Sequence, residues 1–316
     1  MMKIVFSITS LLLSICAFAQ DSTIEILKTE AIRPVPITVP TVPDSLRKTK
    51  WIKGGLFSLN AAEGSLKNWA AGGDDFSLSL NLYTNGHAFY KSGKITWDNN
   101  VDFNLGYINT TSLGSRKNDD RFDFYSKYGY GVSKHVSISA LFDLRTQFFD
   151  GYTYPLPNTP IFSSTSFSPG YVLLSPGIDY RPLKNLSIFI SPITSRWVIV
   201  LNPTLSKIGA YGVDPGTHSL NQLGAFGTIM LNSKINKLIT YTGRIDLFSN
   251  YEHNPKNVDL YMTNLFLAKL GKMITATWSV DMIYDDDAKV FGPNHNSPRL
   301  QIRSLIGIGI LIKMGI

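Results

Sequence analysis

The most constraining feature of this chain is a period-two alternation of apolar and polar residues, sustained over stretches far longer than ordinary strands. At the C-terminus Ile302, Ser304, Ile306, Ile308, Ile310, Ile312, Met314 and Ile316 fall on one face. Gln301, Arg303, Leu305, Gly307, Gly309, Leu311, Lys313 and Gly315 fall on the other. Residues 94–107 repeat the pattern, with Ile95, Trp97, Val101, Phe103, Leu105 and Tyr107 opposite Lys94, Thr96, Asp98, Asn100, Asp102 and Asn104. In 274–285, Ile274, Ala276, Trp278, Val280 and Met282 oppose Thr275, Thr277, Ser279 and Asp281. Successive side chains of a strand point to opposite faces, so this pattern is a strand with one apolar and one polar side. Globular strands average about five or six residues. A strand that crosses a bilayer needs about nine to eleven in lipid alone, with the apolar face turned outward. Backbone groups in hydrocarbon must all be paired, which demands a closed sheet. The expected fold is therefore all-β, a transmembrane antiparallel up-and-down barrel.

Composition agrees with this. The chain has 316 residues, of which 17% are charged and 12% aromatic, and its net charge is +7. It is too apolar for disorder. Past residue 20 it has no apolar run long enough for a membrane helix. Basic clusters are short, which speaks against nucleic acid as a partner. Residues 1–19 join a basic start, the apolar Leu11-Leu12-Leu13 core and a small-x-small end at Ala17-Phe18-Ala19, the pattern of a secretory signal peptide. The one cysteine, Cys16, lies inside it. Ile15 before it is a poor fit to a lipoprotein acceptor site. Residues 20–50 carry Pro34, Pro36, Pro40 and Pro43 and form an extended lead segment. The barrel is expected over 51–316.

Twelve strands are expected, near 51–60, 75–90, 94–109, 120–132, 135–150, 166–181, 185–200, 218–231, 236–249, 257–270, 273–285 and 299–316. Their connections alternate short and long, which is how outer-membrane barrels are wired, with short periplasmic turns and longer outer loops. Both termini then lie in the periplasm. Pro169, Pro176 and Pro192 interrupt two of the strands, and proline cannot donate to a ladder, so ten or fourteen strands are the alternatives.

Several local patterns resemble a family of Bacteroidetes outer-membrane proteins known as domain-of-unknown-function family 3078. They are Trp51 with Gly54-Gly55, Asn68-Trp69-Ala70-Ala71-Gly72-Gly73, Trp97-Asp98-Asn99-Asn100, Arg116-Lys117-Asn118-Asp119-Asp120, Arg145-Thr146-Gln147-Phe148, Gly151-Tyr152, Ser191-Pro192-Ile193-Thr194, Tyr211-Gly212-Val213 and Tyr284-Asp285-Asp286-Asp287. The resemblance spans most of 51–290. It implies an outer-membrane location and no established activity.

The polar face supplies the candidate site. The expected lumen-lining residues are Lys94, Asp98, Asp102, Arg121, Asp123, Lys127, Asp143, Arg145, Arg244, Asp246, Asp281 and Arg303, with Lys313 beyond them. Their signs nearly cancel, whereas a selective pore is built from rings of one sign. Mixed signs point to paired networks in a filled or narrow lumen. In particular, a carboxylate of the third strand, Asp98 or Asp102, is expected to meet Arg121 or Lys127 of the fourth. In the first long connection, Asn68, Trp69, Gly72 and Gly73 form a loop motif, read as packing or interfacial anchoring with ligand stacking as the alternative.

Catalysis finds no support. The five histidines lie apart from one another, in or near loops and turns, and no Gly-x-Ser-x-Gly elbow is present. No metal or cofactor is assigned, with Ca²⁺ at the carboxylates of 118–120 or 285–287 left open. The expected function is a passive, porin-like channel or transporter for small solutes. The alternatives are a structural or interaction barrel with a filled lumen and, third, an outer-membrane hydrolase. The expected partners are outer-membrane lipids and lipopolysaccharide, with the barrel assembly machinery and periplasmic chaperones during biogenesis. The barrel is expected to be a monomer.

Overall fold

A computed structural model describes residues 50–65, 76–156, 159–252, 255–271, 273–284 and 299–315. Twelve antiparallel strands close into a barrel. Following the chain they are β1 Trp51–Ser65, β2 Phe76–Ser92, β3 Ile95–Thr110, β4 Gly114–Gly131 and β5 Val136–Thr146. A separate hairpin follows, β6 Gly151–Leu156 with β7 Thr159–Ser164. The barrel resumes with β8 Gly170–Leu183, β9 Leu186–Ile199, β10 Ser219–Lys234, β11 Ile239–Asn250, β12 Asp259–Lys269, β13 Ile274–Tyr284 and β14 Gln301–Gly315. Each strand pairs with its neighbour in the chain, β5 with β8 across the hairpin, and β14 returns to β1. Among the described residues no helix is long and apolar enough to cross a membrane; the strands cross instead.

One end of the barrel, the turn end, is tight. β2 and β3 are joined through Gly93 at φ 56°, a left-handed conformation that only glycine adopts without strain. β1 begins and β14 finishes at this same end, since Gly54 pairs with Gly315. The other, loop end carries the longer connections, with one correction to the sequence reading. The connection expected at 110–119 shrinks to residues 111–113, because β3 and β4 pair out to Thr110↔Gly114. Their polar tips, Asn109 and Ser115, extend the hairpin beyond the apolar band.

At the loop end the segment 147–169 and the segment 200–218 fold onto each other. Their core is Val198, Val200, Leu205 and Val213, packed against Phe162, Tyr171 and Tyr211. The short helix α1, Pro203–Lys207, is capped by Asn202, whose side chain accepts from the Thr204 and Leu205 amides. The Tyr211 hydroxyl donates to the Ser163 carbonyl at 2.6 Å, tying the two segments together.

The outer surface is apolar, with Ile306 76%, Ile190 61% and Ile302 61% exposed. Near the turn end it carries a belt of aromatic rings. Trp51 lies 5.0 Å from Tyr90 and 5.9 Å from Trp97, and Phe266 stacks between Tyr241 and Trp278. The Trp97 and Trp278 indoles donate to Ser126 and Ser304 beside them. Such rings mark a membrane–water interface. An Arg in place of Val280, on the outer face, is expected to cost about 2–4 kcal/mol, and the same change at inward-facing Ser279 much less. Folding equilibria measured by urea titration in lipid vesicles separate the two, and equal costs would contradict the assigned faces.

Candidate functional site: the barrel interior

The strand pleat turns one residue in two into the lumen, and the lumen has two unlike halves. The half bounded by β3–β5 and β8–β11 is packed. Towards the turn end, Lys127 Nζ pairs with Asp179 at 2.9 Å, while Arg181 bridges Asp179 and Asp98, both at 2.6 Å. Ser187 donates to the same Asp179 carboxylate at 2.6 Å. Towards the loop end, Arg145 and Arg244 interleave with Asp123, Asp143 and Asp246. Arg244 reaches Asp246 at 2.7 Å and Asp143 at 3.3 Å, and Arg145 reaches Asp123 at 3.2 Å and Asp246 at 3.4 Å, besides its direct bond to Asp143. Arg196 pairs with Asp259 at 3.1 Å and lies 3.9 Å over the Phe248 ring.

An apolar cluster packs among these ion pairs. Phe89, Tyr125, Leu141, Phe189, Phe226 and Phe248 form a buried cluster inside the barrel, with Leu141 and Phe189 fully inaccessible. The Arg244 guanidinium lies 5.3 Å over Tyr125, and Lys127 Nζ 5.8 Å over Phe189, so the aromatic faces carry charge from both sides. Buried charges without partners are expensive, and this arrangement gives each of these charges a partner.

The other half of the lumen, along β1, β2 and β11–β14, contains a cavity of about 290 Å³. Its wall is largely uncharged: Ser58, Asn60, Asn81, Asn85, Thr242 and Ser279 line it, with Leu56 and Leu311 among them. Asp119, Arg121 and Asp281 are its charged members. Asp102 behind it is tied to Tyr83 at 2.5 Å and Asn85 at 2.9 Å, and also to Asn100.

Among the expected lumen residues, Asp98, Asp102, Asp123, Lys127, Asp143, Arg145, Arg244, Asp246 and Asp281 are buried inside the barrel, and Arg121 lines the cavity. Lys94 is a correction. It is exposed in the β2–β3 turn with its ammonium 5.8 Å from the Tyr130 ring, because the strand begins one residue later and the turn carries Lys94 out of the lumen. Arg303 stands opposite Asp281 in register, while its side chain lies outside the described residues. So do Asn68, Trp69, Gly72 and Gly73. The expected pairing between the third and fourth strands is not the one formed. Asp98 faces Lys127 in register and Asp102 faces Asp123, yet Asp98 bonds Arg181 of β8 and Lys127 bonds Asp179. Long cationic side chains reach across the narrow lumen rather than along the wall. Of the acidic run 118–120, Asp120 accepts the Phe148 and Phe149 amides at 3.1 and 2.8 Å and pairs with Lys117 at 2.7 Å, which makes it a loop anchor.

Asp179, Arg181, Arg196 and Asp259 were not among the expected residues, nor was the aromatic layer. Pro176 and Pro192 obscure the alternation in β8 and β9. In β9 a bulge leaves Pro192 and Ile193 both exposed while Ser191 and Thr194 are both buried. Counting by twos from Phe189 therefore puts Arg196 on the wrong face.

The profile of the family described as protein of unknown function (DUF3078) matches residues 61–152. The patterns read from Asn68 to Tyr152 fall inside that match, while Trp51, Gly54-Gly55, Ser191–Thr194, Tyr211–Val213 and Tyr284–Asp287 fall outside it. The matched segment runs from the end of β1 into β6, and so contains the strands that supply Asp98, Asp102, Arg121, Asp123 and Lys127. No curated protein matches the chain. Among solved structures it is similar to an outer membrane channel, COG4313, from Pseudomonas putida F1, at 8% identity and TM-score 0.38, covering 87% of this chain and 100% of that one. It is also similar to the NanC porin, at 10% identity and TM-score 0.34, covering 82% and 98%. A third is the translocator domain of the autotransporter NalP from Neisseria meningitidis, at 6% identity and TM-score 0.37, covering 83% and 89%.

Proposed function

We propose that this protein is an outer-membrane channel for small solutes whose conducting path is the cavity along β1, β2 and β11–β14. The observation that carries this reading is the division of the lumen. One half is sealed by paired ions and aromatic rings, and the other keeps about 290 Å³ of space walled by amides and hydroxyls. Uncharged polar walls offer exchangeable hydrogen bonds and no strong charge well, which suits passage rather than tight retention. The exported leader and the apolar outer face with its aromatic belt support an outer-membrane location, with both termini in the periplasm. The reading assigns no catalysis. It takes outer-membrane lipids and lipopolysaccharide as the surroundings of a monomer, and the barrel assembly machinery and periplasmic chaperones as its partners during biogenesis.

Purified protein in planar bilayers is expected to give small, ohmic current steps with weak ion selectivity, because most lumen charges are already paired. Asn81→Trp, which fills the cavity, is expected to lower that conductance at least twofold. A folded protein that passes no current would favour the second reading, a structural barrel with a filled lumen, which the packed half supports.

A further inference from the structure

The barrel is closed between β1 and β14 over only part of its height. Pairing runs from Gly54↔Gly315 to Ala61↔Ile308 and stops. Both strands continue. Ala62–Ser65 remain paired with β2, and Gln301–Gly307 remain paired with β13. Among the described residues nothing joins these two edges, although the register would next bring Ala62 to Gly307. The unpaired edge of β14 begins opposite Thr277, beside the belt residue Trp278, and ends opposite Ile283. Seven residues of tilted strand rise about 15 Å, so the gap opens over part of the apolar band. Ile302 and Ile306 on this edge are 61% and 76% exposed.

Unpaired backbone groups are not tolerated against hydrocarbon, but are where they border a water-filled cavity. Here they border one. Ala61 and Ala62 on one side of the gap, and Ile306 and Gly307 on the other, all line the cavity. Deeper in the same wall are polar atoms that are buried and have no hydrogen-bond partner: Asn60 Oδ1, Asn104 Nδ2 and Arg121 Nε. Asn104 and Arg121 are register partners, so the two donors stand side by side on β3 and β4. Unlike Lys127, Arg145, Arg181, Arg196 and Arg244, Arg121 forms no ion pair among the described residues.

We propose that the open seam between β1 and β14 is a lateral portal between the cavity and the membrane, and that the cavity takes a small amphipathic acid. Its acidic group meets Arg121 and Asn104, and its apolar body lies between Ala62 and Ile306. A guanidinium beside an amide N–H provides adjacent donors for one carboxylate. Ile302 and Ile306 give the β14 edge of the seam an apolar rim, and Glu63 stands exposed on the β1 edge. The proposal deepens the channel reading by naming a solute class, and it rests on that reading only for the cavity being a path.

The test uses mature protein in lipid nanodiscs with a diazirine-bearing decanoic acid as the probe and the corresponding alcohol as control. Ala62→Cys together with Gly307→Cys can be closed by oxidation and reopened by reduction, since the chain's single cysteine is Cys16 in the leader. With the seam reduced, photolabelling by the acid is expected on cavity residues of β1 and β14. Oxidation is expected to lower it at least fivefold relative to the reduced form of the same variant. Arg121→Met is expected to lower labelling by the acid and not by the alcohol, and Arg121→Lys to retain most of it. Labelling that ignores oxidation overturns the portal. Equal labelling by acid and alcohol in every variant overturns the acidic head. Intact, oxidation-sensitive labelling in a protein that conducts no current would leave the portal standing and sink the channel.

Discussion

Arg244→Met is expected to destabilise the folded barrel by about 3–5 kcal/mol, the cost of leaving one side of a buried ion pair without its partner. Arg244 is 1% exposed and holds both Asp246 and Asp143. Removing it leaves three carboxylates, Asp123, Asp143 and Asp246, around the single cation Arg145. That imbalance costs more than the lost contacts, because a carboxylate in a poorly solvated lumen has no water to replace its partner. Adding Asp246→Leu should return part of the loss, and the double-mutant cycle should give a coupling well above 0.5 kcal/mol. Urea unfolding in lipid vesicles, read by the shift of the folded band on gels, measures each arm. Near-zero coupling would mean that water reaches this layer, and the packed half would then be an aqueous pore.

The strands were legible because the bilayer imposes a rule on each one separately. Ile302 to Ile312 alternate without reference to anything else in the chain, and the same holds for Ile95 to Tyr107. Strand number follows from counting such runs. The interior is less legible because nothing forces it to be polar. Tyr125 lies between Asp123 and Lys127 on the inward face, and Phe189 between Ser187 and Ser191. Each is an apolar residue on the polar side, which period-two reasoning passes over. What sets them is the neighbour across the lumen, Arg244 over Tyr125 and Lys127 over Phe189, and that pairing joins strands far apart in sequence. The ion pairs show the same limit. Local register favours Asp98 with Lys127, yet both choose partners on β8 because Arg181 and Asp179 complete a larger set of bonds there. The bulge at Pro192 and Ile193 adds a third reason, since one extra residue changes the face of everything beyond it.

The aromatic layer gives the second large effect. Phe189→Ala removes a fully inaccessible ring that packs against Phe226, with centroids 6.4 Å apart, and against the Lys127 ammonium. Deleting a buried Phe side chain costs about 3–5 kcal/mol where the surroundings cannot collapse. A closed barrel wall is poorly able to collapse, since its strands are fixed by ladders on both sides, so the upper part of that range is expected. The consequence for function is separate from the consequence for stability. Phe189 belongs to the cluster packed among the ion pairs of Lys127 and Arg244, so its removal opens space between two sets of charges that now exclude water from each other. Conductance is then expected to rise, with a new cation or anion preference contributed by charges no longer shielded, while Asn81→Trp should fail to abolish this added current because it narrows only the opposite half. If Phe189→Ala destabilises the barrel and leaves the current unchanged in size and selectivity, the two ionic layers seal the packed half without the ring, and the aromatic layer is a folding core alone.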